Sequence, residues 1–263
     1  MAHAIGENHA RRRLAAGELV LCMGVNQLRS PNIALIAAAC GFDAIYLDLE
    51  HNPTSLETAA SVCVAALGAG VTPIARIASH DAHDMARILD CGAQGIMVPH
   101  VNSAEEASAI VSACRFAPIG HRSAAGTVPA LGYAALGQAE INRRLNEETL
   151  LIAMLETPEA IGQVEAIAAV PGIDCLLIGS SDLSMELGVP GDNGNAKIQA
   201  AADKVVAACK KHGKWPGMGG AYSEELLKLY TAKGMKLILA GNDLPMLTGA
   251  ARAHQAKVRA FQS

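Results

Sequence analysis

Short apolar runs alternate along the chain with longer segments of helical periodicity. The runs lie at 18–25, 42–53, 72–77, 93–101, 150–155, 173–179, 214–220 and 235–241. Most are continuously aliphatic, which is typical of strands buried on both faces of a parallel sheet. Eight strand and helix units in 263 residues predict an α/β fold, a TIM (β/α)8 barrel that spans 1–263 as a single domain. An open doubly wound sheet has the same local pattern and stays an alternative.

A helix is predicted after each of these strands. Several begin with capping chemistry directly after a strand, as Thr157 and Pro158 do after the fifth apolar run. A polar N-terminal segment is also predicted to be helical, and the last predicted helix covers 243–261. Residues 118–133 have no strong periodicity and many glycines and prolines, so we predict a candidate active-site loop there.

Composition and charge narrow the class of protein. Hydrophobic residues make up 51% of the chain, yet no apolar run approaches the length of about 20 residues that spans a bilayer, and the N-terminus lacks the apolar core of a signal peptide. We therefore expect a cytoplasmic protein without a membrane partner. A net charge of -4 and an aromatic content of 3% argue against a nucleic-acid partner. The seven cysteines form no CxxC pair and are expected to be reduced.

Two apolar runs each end on a carboxylate. Glu156 follows the run 150–155, and Asp182 follows 173–179. The carboxyl ends of parallel strands share one edge, where α/β folds bind ligands. Two carboxylates with few other protein ligands suit a hard divalent cation that keeps several waters. The alternative is that Asp182 caps a helix and Glu156 pairs with a nearby basic residue.

Other polar residues are expected at the same edge of the sheet. Arg76 ends the third run, where a desolvated guanidinium requires an anion such as a substrate carboxylate or an enolate. Asp48 and His51 follow the second run and could form an acid/base dyad in which the carboxylate orients the imidazole. The alternative for this pair is a capping aspartate and a solvated loop histidine. Gly219 and Gly220 resemble a phosphate-binding turn, but a tight turn explains them equally well.

Taken together, several stretches resemble one known family. GFDAIYLDLEHNP, the arginine of PIARI, ILDCGAQGIMVPHVNSAEEA, LETPEAI and GIDCLLIGSSDLSMELGVPG occur in the order and spacing of the HpcH/HpaI class II pyruvate aldolases. The resemblance implies a TIM barrel and metal-dependent aldol chemistry. It also implies a homo-oligomer, a hexamer built as a trimer of dimers that exchange their last helix, here from Asp243 onward.

The resemblance assigns roles to the candidate residues. It makes Glu156 and Asp182 the ligands of Mg²⁺, Mn²⁺ or Co²⁺, and Arg76 the residue that holds the pyruvyl oxygen. It makes His51 and Asp48 the acid/base dyad.

Three further roles also come from the family. Asp90 is expected to approach the site of a neighbouring subunit. The backbone N–H groups of Ser181 and Asp182 are expected to receive the substrate carboxylate, and Gly219 is expected to widen the aldehyde pocket, because family members often have a bulkier residue there.

The chain departs from the family pattern at three positions that bear on the substrate. Met154 stands where many members have Gln, Ser180 replaces a usual Pro, and Ser123 follows Arg122 where Gly is common. The implied reaction is reversible aldol cleavage of a 4-hydroxy-2-oxo acid to pyruvate, or a pyruvate-like 2-oxo acid, and an aldehyde through a metal-stabilised enolate. The alternatives are a malyl-CoA or citramalyl-CoA lyase and a non-catalytic barrel that binds a keto acid.

Overall fold

Eight parallel strands close into a barrel in the computed structural model, which describes residues 6–262. Each strand pairs with the next along the chain, and the first also pairs with the eighth. The strands are β1 Val20–Val25, β2 Ala44–Asp48, β3 Thr72–Arg76, β4 Gly95–Val98, β5 Leu150–Leu155, β6 Cys175–Gly179, β7 Trp215–Gly219 and β8 Leu237–Asn242. The predicted TIM barrel is confirmed, and the open sheet is not formed.

Helices follow the strands and cover the outside of the barrel. They are α1 His9–Ala15, α2 Asn32–Ala39, α3 Leu56–Ala69, α4 Ala82–Asp90, α5 Ala104–Cys114, α6 Gln138–Glu148, α7 Pro158–Gly162, α8 Val164–Ala169, α9 Ser180–Glu186, α10 Ala196–His212, α11 Glu224–Lys233 and α12 Asp243–Arg259, with 3-10 turns at Pro129–Leu131 and Ala260–Gln262. Helix α6 was not predicted from the sequence. No helix within residues 6–262 combines the length and apolar character needed to cross a membrane.

Two strands end three or more residues earlier than the apolar pattern predicts. The predicted second strand runs to residue 53, but Asp48 accepts the backbone N–H groups of Glu50 and His51, which turns the chain away from the sheet. The predicted fourth strand runs to residue 101, but His100 has a left-handed backbone with φ 53°, which no strand can contain. Both early ends place polar residues at the carboxyl edge of the barrel.

The apolar residues form two main layers. One lies between the strands and the outer helices, and the other fills the barrel interior with side chains such as Ile74, Met97 and Leu177. Helix α1 lies across the N-terminal end of the barrel, where Ala10 and Leu14 join the inner layer. Because this end is closed by packed side chains, a ligand can reach the barrel interior only from the carboxyl ends of the strands.

The aperiodic segment 118–133 belongs to a smaller cluster beside the barrel. Its 3-10 turn contributes Leu131, which packs with Phe116 and with Leu145 of α6. None of the described residues 118–133 lines the central cavity described below. The predicted active-site loop therefore contributes to packing within this chain and not to its cavity.

Helix α12 has few contacts with its own barrel. Asp243 at its start is its only buried residue, and Leu247 is 55% exposed. Beside it, an apolar groove of about 560 Å³ lies over β1 and β8, lined by Leu19, Leu21 and Ile238 together with residues of α11. Exposed apolar side chains of α12 and an apolar groove are thus both left uncovered in a single chain.

Candidate active site at the carboxyl end of the barrel

A cavity of about 460 Å³ opens at the carboxyl ends of the strands. The residues singled out from the sequence converge on it, with one exception. The predicted residues that line it are Asp48, His51, Arg76, Glu156, Ser181, Asp182 and Gly219. Asp90 is the predicted residue that does not.

Glu156 directly follows β5 and is 2% exposed. Its Oε2 accepts the backbone N–H of His100 at 2.9 Å. Burial raises the pKa of the Glu156 carboxyl, and the nearby charge of Asp182 raises it further, although the contact with His100 opposes both effects. A carboxylate held in such a place is costly unless a positive charge arrives next to it.

Residue 179 must be glycine for Glu156 to occupy this position. A Cβ on Gly179 would lie 2.3 Å from Glu156 Oε1. Gly179 is the last residue of β6, and Asp182 follows in the first turn of α9. The same short stretch therefore makes room for one carboxylate and supplies the other.

His100 uses an unusual backbone conformation to reach Glu156. Its φ of 53° is uncommon for a residue other than glycine, and it aims the N–H at the carboxylate. The imidazole Nδ1 lies 3.4 Å from Glu156 and Nε2 lies 3.5 Å from Glu50. No role was predicted for His100 from the sequence, and its contacts with Glu156 make it a positioning residue.

The two carboxylates fit a hard divalent cation. No three His, Cys, Asp or Glu side chains in residues 6–262 converge as a complete ligand set. Mg²⁺ and Mn²⁺ do not need one, because they bind through one or two carboxylates and take other oxygens from water and substrate. The buried position and raised pKa of Glu156 match this donor set, since a cation relieves the cost of its charge.

Arg76 is held by two carboxylates. Its Nε and Nη2 reach the two oxygens of Asp48 at 2.9 and 2.8 Å, and Nη1 lies 3.2 Å from Glu50. Burial alone would raise the pKa of Asp48, but the hydrogen bonds and charge of Arg76 lower it overall. Arg76 therefore stays charged and fixed in orientation at the cavity wall.

The contact predicted between Asp48 and the His51 ring takes a different form. Asp48 accepts the backbone N–H of His51 at 3.3 Å, and the carboxylate beside the ring is Glu50, 3.5 Å from Nε2. The imidazole is 62% exposed. Glu50 contacts Arg76, His51 and His100, yet the sequence analysis gave it no role. Its position two residues after Asp48 at a strand end was the available signal.

Ser180 has a structural role that explains its difference from the family pattern. It is fully buried, and its Oγ donates to the carbonyl of Gly219 at 2.7 Å. A Cβ on Gly220, which has φ 87°, would lie 2.4 Å from that Oγ. The hydroxyl thus fastens the end of β6 to the end of β7, a contact that proline cannot make.

Asp90 lies at the last turn of α4, away from the cavity. It accepts from Arg122 Nη2 at 2.6 Å, and Arg122 also stacks over the ring of Phe116 at 4.7 Å. The Arg122 side chain is 1% exposed, and the pair connects the end of α4 to the segment 118–133. The proposed approach of Asp90 to a neighbouring subunit stays a prediction.

Comparison with known proteins agrees with this geometry. The model of the HpcH/HpaI aldolase/citrate lyase family matches residues 25–220. The chain belongs to this family. The match runs from the end of β1 to the end of β7 and contains the two carboxylates, the arginine and the histidine described above.

Individual family members are similar over nearly the whole chain. A 4-hydroxy-4-methyl-2-oxoglutarate aldolase of Chaetomium globosum is 36% identical, covering 93% of this chain and 92% of that protein. A hydroxypyruvate/pyruvate aldolase of Sagittula stellata is 33% identical, covering 95% and 98%. The crystal structure of an HpcH/HpaI aldolase from Desulfitobacterium hafniense superposes with a TM-score of 0.90 at 27% identity, covering 95% and 96%.

The contact between Gly179 and Glu156 can be tested by adding a single carbon. Gly179→Ala is expected to force Glu156 out of place and to destabilise the protein by about 1–3 kcal/mol, because the new Cβ overlaps its carboxylate. The control is Gly68→Ala in α3, where a Cβ meets nothing within 4 Å and where alanine favours the helix. Thermal unfolding of both variants checks this expectation. Equal stability of the two would contradict it.

Proposed function

We propose that this family member is a metal-dependent aldolase. It cleaves a 4-hydroxy-2-oxo acid to pyruvate, or a pyruvate-like 2-oxo acid, and an aldehyde, and it catalyses the reverse addition. The observation that carries the proposal is the meeting of Glu156, Asp182 and the Arg76–Asp48 pair in one cavity. The names of the related aldolases, which include hydroxypyruvate/pyruvate aldolases, support the same reaction class.

Glu156 and Asp182 are the residues that would hold the cation, with Mg²⁺, Mn²⁺ and Co²⁺ as the candidates. When bound, such an ion withdraws electrons from the 2-oxo group and so lowers the energy of an enolate. The ordered residues around Glu156 supply what this requires of the protein. Gly179 leaves the space, and the N–H of His100 fixes the carboxylate in orientation.

Arg76 would stabilise the enolate oxygen. Asp48 and Glu50 set the direction of its guanidinium before substrate arrives, so little energy is spent on reorienting it during the reaction. The carboxylate end of the 2-oxo acid would be received by the backbone N–H groups of Ser181 and Asp182 at the start of α9.

His51 would move the proton. In cleavage, the C4 hydroxyl gives up its proton, the C4–O bond becomes the aldehyde carbonyl, and the electrons of the C3–C4 bond form the enolate. A proton added at C3 then completes pyruvate. The exposed imidazole of His51 lines the cavity beside Glu50, which is the carboxylate placed to stabilise its protonated form.

The two alternatives are less well supported. Among the described residues that line the cavity, Arg76 is the only Arg or Lys, so a coenzyme A thioester would find no cluster of basic groups for its phosphates there. A non-catalytic keto-acid sensor would bind the same 2-oxo acid without turning it over. The appearance of pyruvate from a 4-hydroxy-2-oxo acid separates the sensor from the enzyme.

Metal dependence is the first test. EDTA is expected to stop pyruvate release, and Mn²⁺ is expected to restore it. In calorimetric titrations Mn²⁺ should bind the wild type more weakly at about pH 5.5 than at about pH 8, because a proton competes for Glu156, whose pKa is raised by burial. Glu156→Ala should lose this binding, while Glu159→Ala, an exposed glutamate in the next helix, should keep it. Unchanged Mn²⁺ affinity in Glu156→Ala rules out the assigned ligand.

The role of Arg76 is best tested with lysine. Arg76→Ala leaves the buried Asp48 without its partner, which lowers the free energy of unfolding by about 3–5 kcal/mol. A loss of activity in that variant could then come from unfolding as well as from catalysis. Arg76→Lys keeps the charge but loses the forked contact, and we expect kcat/KM to fall by a factor of about 10² to 10³. Arg144→Lys, at an exposed site on α6, is the control and should match the wild type. Near-normal turnover of Arg76→Lys is the contrary result.

We also propose that the chain assembles by exchanging α12 between subunits, as dimers within a hexamer. The exposed apolar residues of α12 and the open groove over β1 and β8 support this, because each would cover the other in a second copy. A cytoplasmic location fits the seven free cysteines of the chain.

The exchange can be tested through the oligomeric state. Leu247→Asp puts a charge on the exposed apolar side of α12 and is expected to shift the protein to smaller species in analytical ultracentrifugation. Arg252→Asp, at an exposed polar position of the same helix, should leave the assembly intact. A monomeric wild type, or equal assembly of both variants, would contradict helix exchange.

A further inference from the structure

The cavity has two unlike sides. In the closed barrel β1 lies opposite β5, so the β1 and β8 side faces the carboxylates that follow β5 and β6. Besides Leu239 of β8, that facing side presents four neutral polar side chains. They are Asn26 after β1, Tyr46 of β2, Asn242 of β8 and Tyr222 from the loop after β7, and we call them the neutral wall.

A hydrogen-bond chain orders the neutral wall. The Tyr46 hydroxyl donates to Asn242 Oδ1 at 2.8 Å, and Asn242 Nδ2 donates to the Tyr222 hydroxyl at 3.3 Å. Burial raises the pKa of Tyr46, so its hydroxyl keeps its proton and remains a donor. The wall therefore presents fixed neutral groups at working pH.

Gly24 makes this chain of contacts possible. It stands in register with Tyr46 on one side and with Asn242 on the other. A Cβ at Gly24 would lie 1.9 Å from Asn242 Oδ1 and 2.8 Å from the Tyr46 hydroxyl. The absence of a side chain at this one position lets two neighbours meet across β1.

The wall retains hydrogen-bonding capacity that the protein does not use. Asn26 Oδ1 is buried and has no hydrogen-bond partner among the described residues. The Tyr222 side chain is 46% exposed, and its hydroxyl proton is free to rotate towards the cavity. A buried acceptor without a donor is costly, and a ligand hydroxyl would satisfy it.

The lack of a positively charged side chain on the neutral wall selects against an anionic aldehyde partner. Arg76 is the only Arg or Lys among the described cavity residues, and although its guanidinium lies 5.8 Å from the centre of the Tyr46 ring, the proposed function already assigns it to the enolate oxygen. A carboxylate or phosphate placed against the amides and phenols of the wall would lose water without gaining a cation. Hydroxyl groups lose little, since they can donate to Asn26 and accept from Tyr222.

We propose that the neutral wall is the aldehyde subsite and that the aldehyde partner is an uncharged hydroxyaldehyde. This inference rests on the proposed aldolase function and adds the substrate class to it. The main rival is an aldehyde or ketone that carries a carboxylate, because 4-hydroxy-4-methyl-2-oxoglutarate, in the name of the Chaetomium globosum relative, is a dicarboxylate.

Three two-carbon aldehydes test whether the neutral wall favours a hydroxyl group over a methyl group or a carboxylate. Glycolaldehyde, acetaldehyde and glyoxylate differ only in having a hydroxymethyl, a methyl or a carboxylate beside the reacting carbon. We would measure kcat/KM for addition of pyruvate to each, in the metal-loaded wild type and in Asn26→Ala and Tyr222→Phe. Since the aldehydes differ in intrinsic reactivity, the diagnostic quantity is the change that each variant causes with each aldehyde.

The hydroxyaldehyde proposal predicts a selective loss. Each variant should lower kcat/KM for glycolaldehyde by about threefold to tenfold, the value of one hydrogen bond, and should lower acetaldehyde and glyoxylate less. Ala at position 26 keeps the backbone N–H that donates to Asp243 at 3.1 Å, and Tyr222→Phe removes only an oxygen. Asn32→Ala, at an exposed position of α2, is the matched control and should leave all three values unchanged.

Two results would overturn the proposal. In the first, both variants lower kcat/KM by the same factor for all three aldehydes. In the second, they lower kcat/KM most for glyoxylate. Exchange of the C3 protons of pyruvate with D₂O, followed by NMR without any aldehyde, tests the aldolase function separately. If the wild type exchanges these protons, a failure with the aldehydes concerns the wall alone. If it does not, the proposed function fails, and the wall proposal fails with it.

Discussion

The site depends on keeping one carboxylate nearly free of water at the mouth of the barrel. Glu156 follows a strand whose residues are all buried, and its own side chain is 2% exposed. Such a charge is unstable by itself, so its surroundings must be arranged around it. The glycine at 179 gives it space, and the left-handed backbone of His100 gives it a donor. The missing side chain at residue 179 and the left-handed backbone of His100 are both explained by the need to hold this carboxylate.

Arg76 balances the negative charge on the neighbouring strands. Asp48 holds two of its nitrogens, and Glu50 lies close to the third and to His51 and His100. Two acids and one guanidinium thus form a rigid group that leaves an oriented positive face for a developing oxyanion. The opposite face of the cavity carries neutral polar groups, so the carboxylates and the guanidinium are confined to one side of the site.

Much of this arrangement was predictable from the sequence. The continuous apolar runs gave the eight strands, and the carboxylates at the ends of two of them gave the edge where Glu156 and Asp182 lie. The pattern could not predict contacts that depend on three-dimensional proximity. One example is the side chain of Asp48, which binds Arg76 and not the ring of His51. The hydrogen bond from Ser180 to the carbonyl of Gly219 is another. Helix α6 was missed because its hydrophobic side is narrow, with only Ile141 and Leu145 buried.

The bond between the Ser180 hydroxyl and the Gly219 carbonyl has an evolutionary consequence. It ties the turn that carries Asp182 to the strand end beside Tyr222. A change in the loop after β7 that suits another substrate therefore disturbs Asp182, which lies two positions after Ser180. Among the described residues, no hydrogen bond joins Asn26 or Asn242 directly to Glu156 or Asp182. New selectivity should arise more readily at Asn26 than at Gly24, because the contact between Tyr46 and Asn242 requires that Gly24 has no side chain.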